Sequence, residues 1–468
     1  VGEVRLTLRR VAEAARGRIA SGDPNLEIGD VVTDTRTLQQ GDFLVALRGP
    51  RFDAHDFLGD AFARGAAGAL VERGRGSGHG NAGIVEVDDT LKGLQDLAHA
   101  VRVDAGTKVI AITGSAGKTT TKEAIAALLS TRFRVVKNKG NLNNHIGLPI
   151  SLMQLRSGPD VAVMELGMNH AGEISTLVAI AEPNVRVWTN VGDAHLGFFR
   201  SPDAIADAKA EILEGAGADD VLVANADDPR VMARVATFAG RTLTFGTTDA
   251  ATIRATEVED LGIEGMRARI RTPWADRVIK TPLLGRGNLS NVLAATAVAL
   301  DAGVKMDEIG AAIERLQPAD RRGAVRRLRD GVTLIDDSYN SSPSALRRAL
   351  EVVAKERGAS RKVAVLGEML ELGEHAAALH AESGRAAAEA GLELLLTVGG
   401  APARAMADSA VAAGMPASAV THFEKSDAAA AAIAAVVRGG DLVLVKGSRG
   451  TRTDVVADRI AAEFAWTP

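Results

Sequence analysis

The chain has 468 residues, 46% hydrophobic and 24% charged, an ordinary globular composition that excludes disorder as the main state. At about 150 residues per domain, the length suits three domains. A formal charge of −4 with 3% aromatics argues against a nonspecific nucleic-acid binder, and the absence of cysteine removes disulfides, thiolate metal sites and cysteine nucleophiles.

Residues 1–88 read as a small mixed α/β unit. Thr33-Asp34-Thr35-Arg36 leads into a strand pattern at 41–47. Helical spacing runs over 53–64, a strand follows at 68–71, and clustered glycines from Gly74 to Gly83 mark a loop. Over 89–318, strand patterns at 109–112, 161–164, 185–188 and 221–223 alternate with helical ones at 118–129, 173–181 and 203–213. That alternation predicts a parallel sheet with helices on its faces. Residues 252–284 switch to period-two alternation, an antiparallel excursion, and a helix resumes over 288–300. Over 319–468, strands are predicted at 332–335, 363–366, 394–398 and 442–445, with a closing helix at 454–464. This is a second, Rossmann-like α/β unit. The fold class is therefore α/β in three domains.

The longest apolar run, Ala428–Val437, is ten residues, far short of the ~20 that a spanning helix needs. The first residues mix charged and apolar side chains, unlike a secretory signal. A cytoplasmic protein without a membrane partner is expected.

The strongest local signal is Thr113-Gly114-Ser115-Ala116-Gly117-Lys118-Thr119-Thr120-Thr121-Lys122. It follows a strand and opens a helix, the setting of a phosphate-binding loop. Glycines let backbone amides approach phosphates. Lys118 would reach the β/γ-phosphates, and the Thr119 hydroxyl would sit on Mg²⁺. Ile112 stands where the strict pattern has its first glycine.

This loop resembles the ATP loop of the Mur ligases, which join amino acids or peptides to the UDP-muramoyl precursor of peptidoglycan. Asn141-Leu142-Asn143-Asn144-His145-Ile146-Gly147-Leu148-Pro149 is similar to a further segment of that family. Segments 165–174 (ELGMNHAGEI), 189–197 (TNVGDAHLG) and 208–212 (AKAEI) are similar to its D-alanyl-D-alanine-adding branch. Asp336-Asp337-Ser338-Tyr339-Asn340 and Lys446-Gly447-Ser448-Arg449-Gly450 extend the likeness to the last unit. The Asp-Asn-Pro-Arg motif of the diaminopimelate- or lysine-adding branch is absent.

The resemblance implies an ATP-dependent amide-bond ligase working through an acyl phosphate in cytoplasmic cell-wall biogenesis. Its implied partners are UDP-N-acetylmuramoyl-tripeptide and D-alanyl-D-alanine, its cofactors ATP and two Mg²⁺ ions, and its expected state a monomer. Gly114, Ser115, Ala116, Gly117, Lys118, Thr119 and Thr120 would hold ATP. Glu165, at a strand end, suits Mg²⁺ as a hard oxygen ligand. The resemblance adds His195 as a ligand of the second ion. It also adds Lys209, as a carbamate, because an ammonium has no lone pair for a metal. Asn288 and Asn291 follow Gly285-Arg286-Gly287, where they either cap a helix or lie beside adenine. Arg322 would cross to the phosphates, with Arg321 a neighbouring competitor. Arg326, Arg327 and Arg329 otherwise read as a solvated basic linker. Asp337, ending the first strand of the last unit, and Tyr339 would lie near ATP. Thr35, Arg36, Asn141, Asn144, Ser448 and Arg449 would hold the substrates, the arginines as bidentate partners for phosphate and carboxylate.

Overall fold

The computed structural model describes residues 2–78, 82–193 and 197–466. Its strands form three sheets that follow one another along the chain. The first contains β1 (Arg18–Ser21), β2 (Val31–Val32), β3 (Phe43–Val45), β4 (Gly68–Glu72) and β5 (Gly83–Val87), in the order β1-β5-β4-β3-β2. Strands β2 to β5 pair in parallel, and β1 runs antiparallel to β5. Gly83 opens β5, so the predicted glycine loop stops short of it. A Cβ on Gly68 would lie 2.3 Å from the Gly83 carbonyl oxygen.

The second sheet contains β6 (Lys108–Thr113), β7 (Val135–Lys137), β8 (Val161–Glu165), β9 (Val185–Trp188), β10 (Val221–Asn225), β11 (Arg241–Gly246), β12 (Ile253–Asp260), β13 (Met266–Arg271) and β14 (Asp276–Thr281). Its order is β14-β13-β12-β11-β10-β9-β6-β8-β7. The antiparallel excursion is present, but it continues the parallel sheet through the β11–β12 pair. Strand β6 lies between β8 and β9. The chain turns to opposite sides there, and such a switch point opens a crevice at the carboxyl ends of the strands.

The third sheet contains β15 (Ala324–Arg327), β16 (Thr333–Asp337), β17 (Arg361–Gly367), β18 (Leu394–Val398), β19 (Val420–Phe423) and β20 (Asp441–Lys446), in the order β15-β16-β20-β17-β18-β19. All pairs are parallel except β15–β16. Arg326 and Arg327 thus lie in an edge strand rather than a linker, and Asp337 ends the second strand of this sheet, not the first. The unpredicted β15 and β19 are edge strands with no fully buried residue. Their sequences lack the apolar runs that reveal central strands.

One apolar core runs without a break from Leu6 to Phe238, joining the first sheet to one face of the second through the Thr90–Ala105 helix. The other face of the second sheet packs against the Lys118–Leu129 and Gly285–Asp301 helices. Separate cores cover the two faces of the third sheet. Among the described residues, no helix is long and apolar enough to cross a membrane.

Candidate active site

Strand β6 delivers the phosphate-loop motif to the switch point. Gly114 has φ +152° and Gly117 φ +83°. A Cβ at Gly114 would lie 1.9 Å from Thr189 Oγ1, and one at Gly117 would lie 2.3 Å from Asn291 Oδ1. Only glycine allows this packing. The Ser115 and Ala116 amides donate to the Asn190 carbonyl (3.0 Å) and side-chain oxygen (2.9 Å). Thr189 Oγ1 donates to the Ala116 carbonyl at 2.8 Å. Residues at the end of β9 therefore fix the loop. Among the described residues, the first-turn amides of Lys118, Thr119 and Thr120 have no carbonyl partner, as at any helix start, and are available to an anion. Lys118 Nζ donates to the Gly114 carbonyl at 2.8 Å. Burial lowers the Lys118 pKa; Glu165 opposes the shift and Arg322 adds to it.

Glu165 ends β8 and is buried. Its Oε2 accepts from Thr119 Oγ1 at 2.7 Å and its Oε1 from Asn143 Nδ2 at 2.9 Å. Asn138 bonds both backbone groups of Glu165, accepting from its amide at 3.0 Å and donating to its carbonyl at 3.2 Å. A hydroxyl and a carboxylate held together are hard donors that fit Mg²⁺. Among the described residues no cluster of three or more acidic or histidine side chains could hold a metal; Mg²⁺ bound by one or two protein oxygens keeps waters and substrate phosphates in its shell. Asn143 was not singled out from the sequence, although the Asn141-x-Asn143-Asn144 spacing contains it.

Lys209 departs from the solvated lysine its helix position suggests. It lies on the Pro202–Ala210 helix and is 1% exposed. Among the described residues its ammonium has no hydrogen-bond or ion-pair partner. Burial, reinforced by the Lys118 charge, holds its pKa well below the usual lysine value. It is not among the residues lining the cleft described next. His195 lies outside the described residues.

A cleft of about 700 Å³ separates the second and third sheets. The whole phosphate loop from Ser115 to Thr120 lines it, with Glu165, Asn141 and Asn144 on one flank. Asn144 Oδ1 accepts from the Gly147 amide at 2.8 Å. Across the cleft stand Arg322, Asp337, Tyr339, Ser448 and Arg449. The Arg322 guanidinium lies 4.1 Å from the Tyr339 ring centre and that of Arg449 5.8 Å. Arg321 is instead bound to Asp458 at 3.0 Å and faces Asp336 at 3.8 Å, so of the two arginines Arg322 is the one that lines the cleft. Asp337 accepts from Lys446 Nζ at 2.6 Å. Lys446, buried at the cleft wall, is a further residue not singled out from the sequence. Ser448 Oγ accepts from the Leu370 amide at 3.0 Å.

Asn288 and Asn291 are not N-caps. Their helix starts at Gly285, so the preceding glycine segment is already helical. Asn288 Nδ2 donates to the Leu284 carbonyl at 2.9 Å, and Asn291 Nδ2 donates to Asn288 Oδ1 at 3.1 Å. Both line the cleft. Thr35 and Arg36 do not. Arg36 is exposed and pairs with Asp34 at 2.6 Å. That bond holds the Asp34 carboxyl down at about 2.

The two halves also touch through loops. The Gly197 amide donates to the Glu371 carbonyl at 2.8 Å. A Cβ on Gly197 would lie 3.0 Å from the Gly373 nitrogen, and one on Gly373 would lie 3.0 Å from Gly197 Cα. His380 steadies the second loop, because its Nε2 accepts from the Met369 amide at 2.8 Å while its Nδ1 faces the Ala376 carbonyl at 2.6 Å. Burial lowers its pKa from 6.5, partly offset by the Ala376 bond. Neutral His380 is thus favoured in the fold, and its stabilisation is complete above pH 6.5 and lost as pH falls toward the depressed value. Urea unfolding measured across that range is expected to show stability falling with pH. His380→Gln removes that part of the slope, and an unchanged slope would contradict the assignment.

Comparison with known proteins agrees with this geometry. The family models "Mur ligase middle domain" and "Mur ligase, glutamate ligase domain" match residues 112–299 and 321–449. The chain is 33% identical to the UDP-N-acetylmuramoyl-tripeptide--D-alanyl-D-alanine ligase of Bacillus subtilis, over 99% of this chain and 100% of that one. A crystal structure of MurF from Acinetobacter baumannii aligns with a TM-score of 0.88 at 32% identity, covering 98% of this chain and 100% of that one. The Thermotoga maritima MurF ligase in complex with ADP aligns at 0.81 with 29% identity, covering 93% and 97%. The chain belongs to the Mur ligase family, in the branch of the UDP-N-acetylmuramoyl-tripeptide--D-alanyl-D-alanine ligases.

Proposed function

We propose that the chain joins D-alanyl-D-alanine to UDP-N-acetylmuramoyl-tripeptide, converting ATP to ADP and phosphate. The observation that carries this reading is the likeness to ligases of that name along 99% of the chain. The cleft supports the chemistry, since a phosphate loop on one wall faces Arg322 and Arg449 on the other.

In this reading residues 1–88 hold the UDP part through Thr35 and Arg36, residues 89–318 hold ATP, and residues 319–468 present the dipeptide through Ser448 and Arg449. Lys118 and the free amides of Thr119 and Thr120 bind the β/γ-phosphates. The tripeptide carboxylate oxygen attacks the γ-phosphorus as the bond to ADP breaks. The dipeptide amine then attacks the acyl carbon of the acyl phosphate, inorganic phosphate leaves, and the amine loses a proton. Positioning and charge stabilisation supply most of the catalysis. Closure of the cleft keeps water from the acyl phosphate. Asn288 and Asn291 lie toward adenine, and Asp337 and Tyr339 beside the nucleotide.

Thr119 and Glu165 would hold one Mg²⁺ with the phosphates, and His195 with Lys209 as a carbamate would hold a second. When bound, the ions neutralise phosphate charge. The carbamate forms when the neutral Lys209 amine adds to the carbon of CO₂ and releases a proton. The buried, depressed amine supports that addition, because only the unprotonated form has the lone pair. The protein acts as a cytoplasmic monomer.

The test is phosphate release with ATP, the UDP-tripeptide and D-alanyl-D-alanine, using tripeptide labelled with ¹⁸O in its reacting carboxylate. One labelled oxygen is expected in the released phosphate. Turnover without label transfer refutes the acyl phosphate, and no turnover with any tripeptide refutes the function.

A further inference from the structure

Arg348 has no role in the scheme above. It lies on the Pro343–Lys355 helix and lines the cleft together with Ala345, Ala349 and Val352 of the same face. Among the described residues it makes no hydrogen bond and no ion pair. Asp337, one of the carboxylates near it, is already bound to Lys446. Arg348 is exposed overall, while desolvation at the cleft wall lowers its pKa, with Glu351, Asp337 and Asp193 opposing the shift. A guanidinium left without a partner on a cleft wall is open to a ligand.

Its position indicates which part of the ligand. The cleft runs from Gly117 to Asn291, which touch, then to Asn288 and on to Gly287. At Gly287 a Cβ would lie 3.1 Å from Arg348 Cδ and 3.2 Å from its Nε. Beyond the phosphate loop the walls become small and apolar, with Gly285, Gly287, Ala345, Ala349 and Val352. The opposite flank is polar, with Asn141, Asn144, Asn169 and Glu173. A nucleotide with its phosphates on the loop finds small, apolar walls for a flat aromatic base on the Arg348 side. A planar guanidinium stacks on such a ring.

We infer that Arg348 is the base-contacting residue of this cleft, its guanidinium covering one face of the purine whose phosphates lie on the Gly114–Thr120 loop. The inference rests on reading the cleft as an ATP site. Arg348 reaches the base from the third sheet's side while the phosphates stay on the second.

The test is calorimetric titration of the full chain with Mg-ADP and, separately, with tripolyphosphate. R348A is expected to weaken ADP binding about tenfold and leave tripolyphosphate binding unchanged. R348K keeps the charge but loses the plane, so it should resemble R348A. In the steady state, R348A raises KM for ATP with kcat and the other two KM values nearly unchanged. Wild-type ADP affinity in R348A overturns the inference, as does an equal loss for ADP and tripolyphosphate. Failure of the unmutated chain to bind ADP overturns the nucleotide-site reading itself, and this inference with it.

Discussion

Lys118→Ala is expected to lower kcat/KM for ATP by about a thousandfold, the scale of removing a preorganised charge from a transition state. Lys118 leads the helix whose first amides lack partners, and its ammonium is already directed back over the loop by the Gly114 carbonyl. It is half-buried, so water screens its charge less than at an open surface and its attraction to phosphate is stronger. Removing it leaves three amides and Arg322 to face the γ-phosphate. Lys118→Arg keeps the charge but not the compact ammonium, and should recover only part of the activity. The fold loses a single backbone contact, so the melting temperature should stay near the wild-type value. Phosphate-release kinetics and a thermal melt together check this. Near-normal turnover in a folded Lys118→Ala protein would remove the loop from the chemistry.

The second large effect has an opposite signature in stability. Lys209→Ala is expected to reduce turnover by about a thousandfold or more, given what loss of a catalytic charge costs. Yet the variant should be at least as stable as the parent, because a buried amine without a partner is unfavourable to folding. Small carboxylates such as formate should restore part of the activity by occupying the space of the missing carbamate. Removing dissolved CO₂ should slow the parent enzyme and leave the alanine variant unaffected. Activity assays with and without these additives, alongside urea unfolding, separate the two effects. Full activity of the alanine variant without additives rules out the carbamate.

Much of the second sheet and its flanking helices is legible in the sequence. The predicted segments 118–129, 173–181 and 185–188 coincide with observed elements. Short strands buried on both faces leave unbroken apolar runs, and the glycine loop punctuates the first helix. Edge strands β15 and β19 were not legible, because one open side permits polar residues. The helix start at Gly285 was hidden because glycine is a poor helix former and suggested a loop.

In the site, the phosphate loop and Glu165 follow from local order. Lys209 and Arg348 do not. Their environments come from segments far away in sequence, and no spacing within a helix reveals what packs over it. The same holds for Arg321 and Arg322: Asp336 and Asp458 of the third unit hold Arg321, and of the two only Arg322 lines the cleft. Arg36, whose type suits phosphate, pairs with Asp34 on the surface and does not line this cleft.

The contact between Gly197 and Gly373 carries one more consequence. It is made of backbone, and its closeness depends on two side chains that are not there. No larger residue can strengthen it, since the first carbon added at either position acts as a wedge. The geometry that brings the substrates' walls together is thus written as missing atoms. For an engineer, a single methyl group is the smallest tool that would hold this enzyme open.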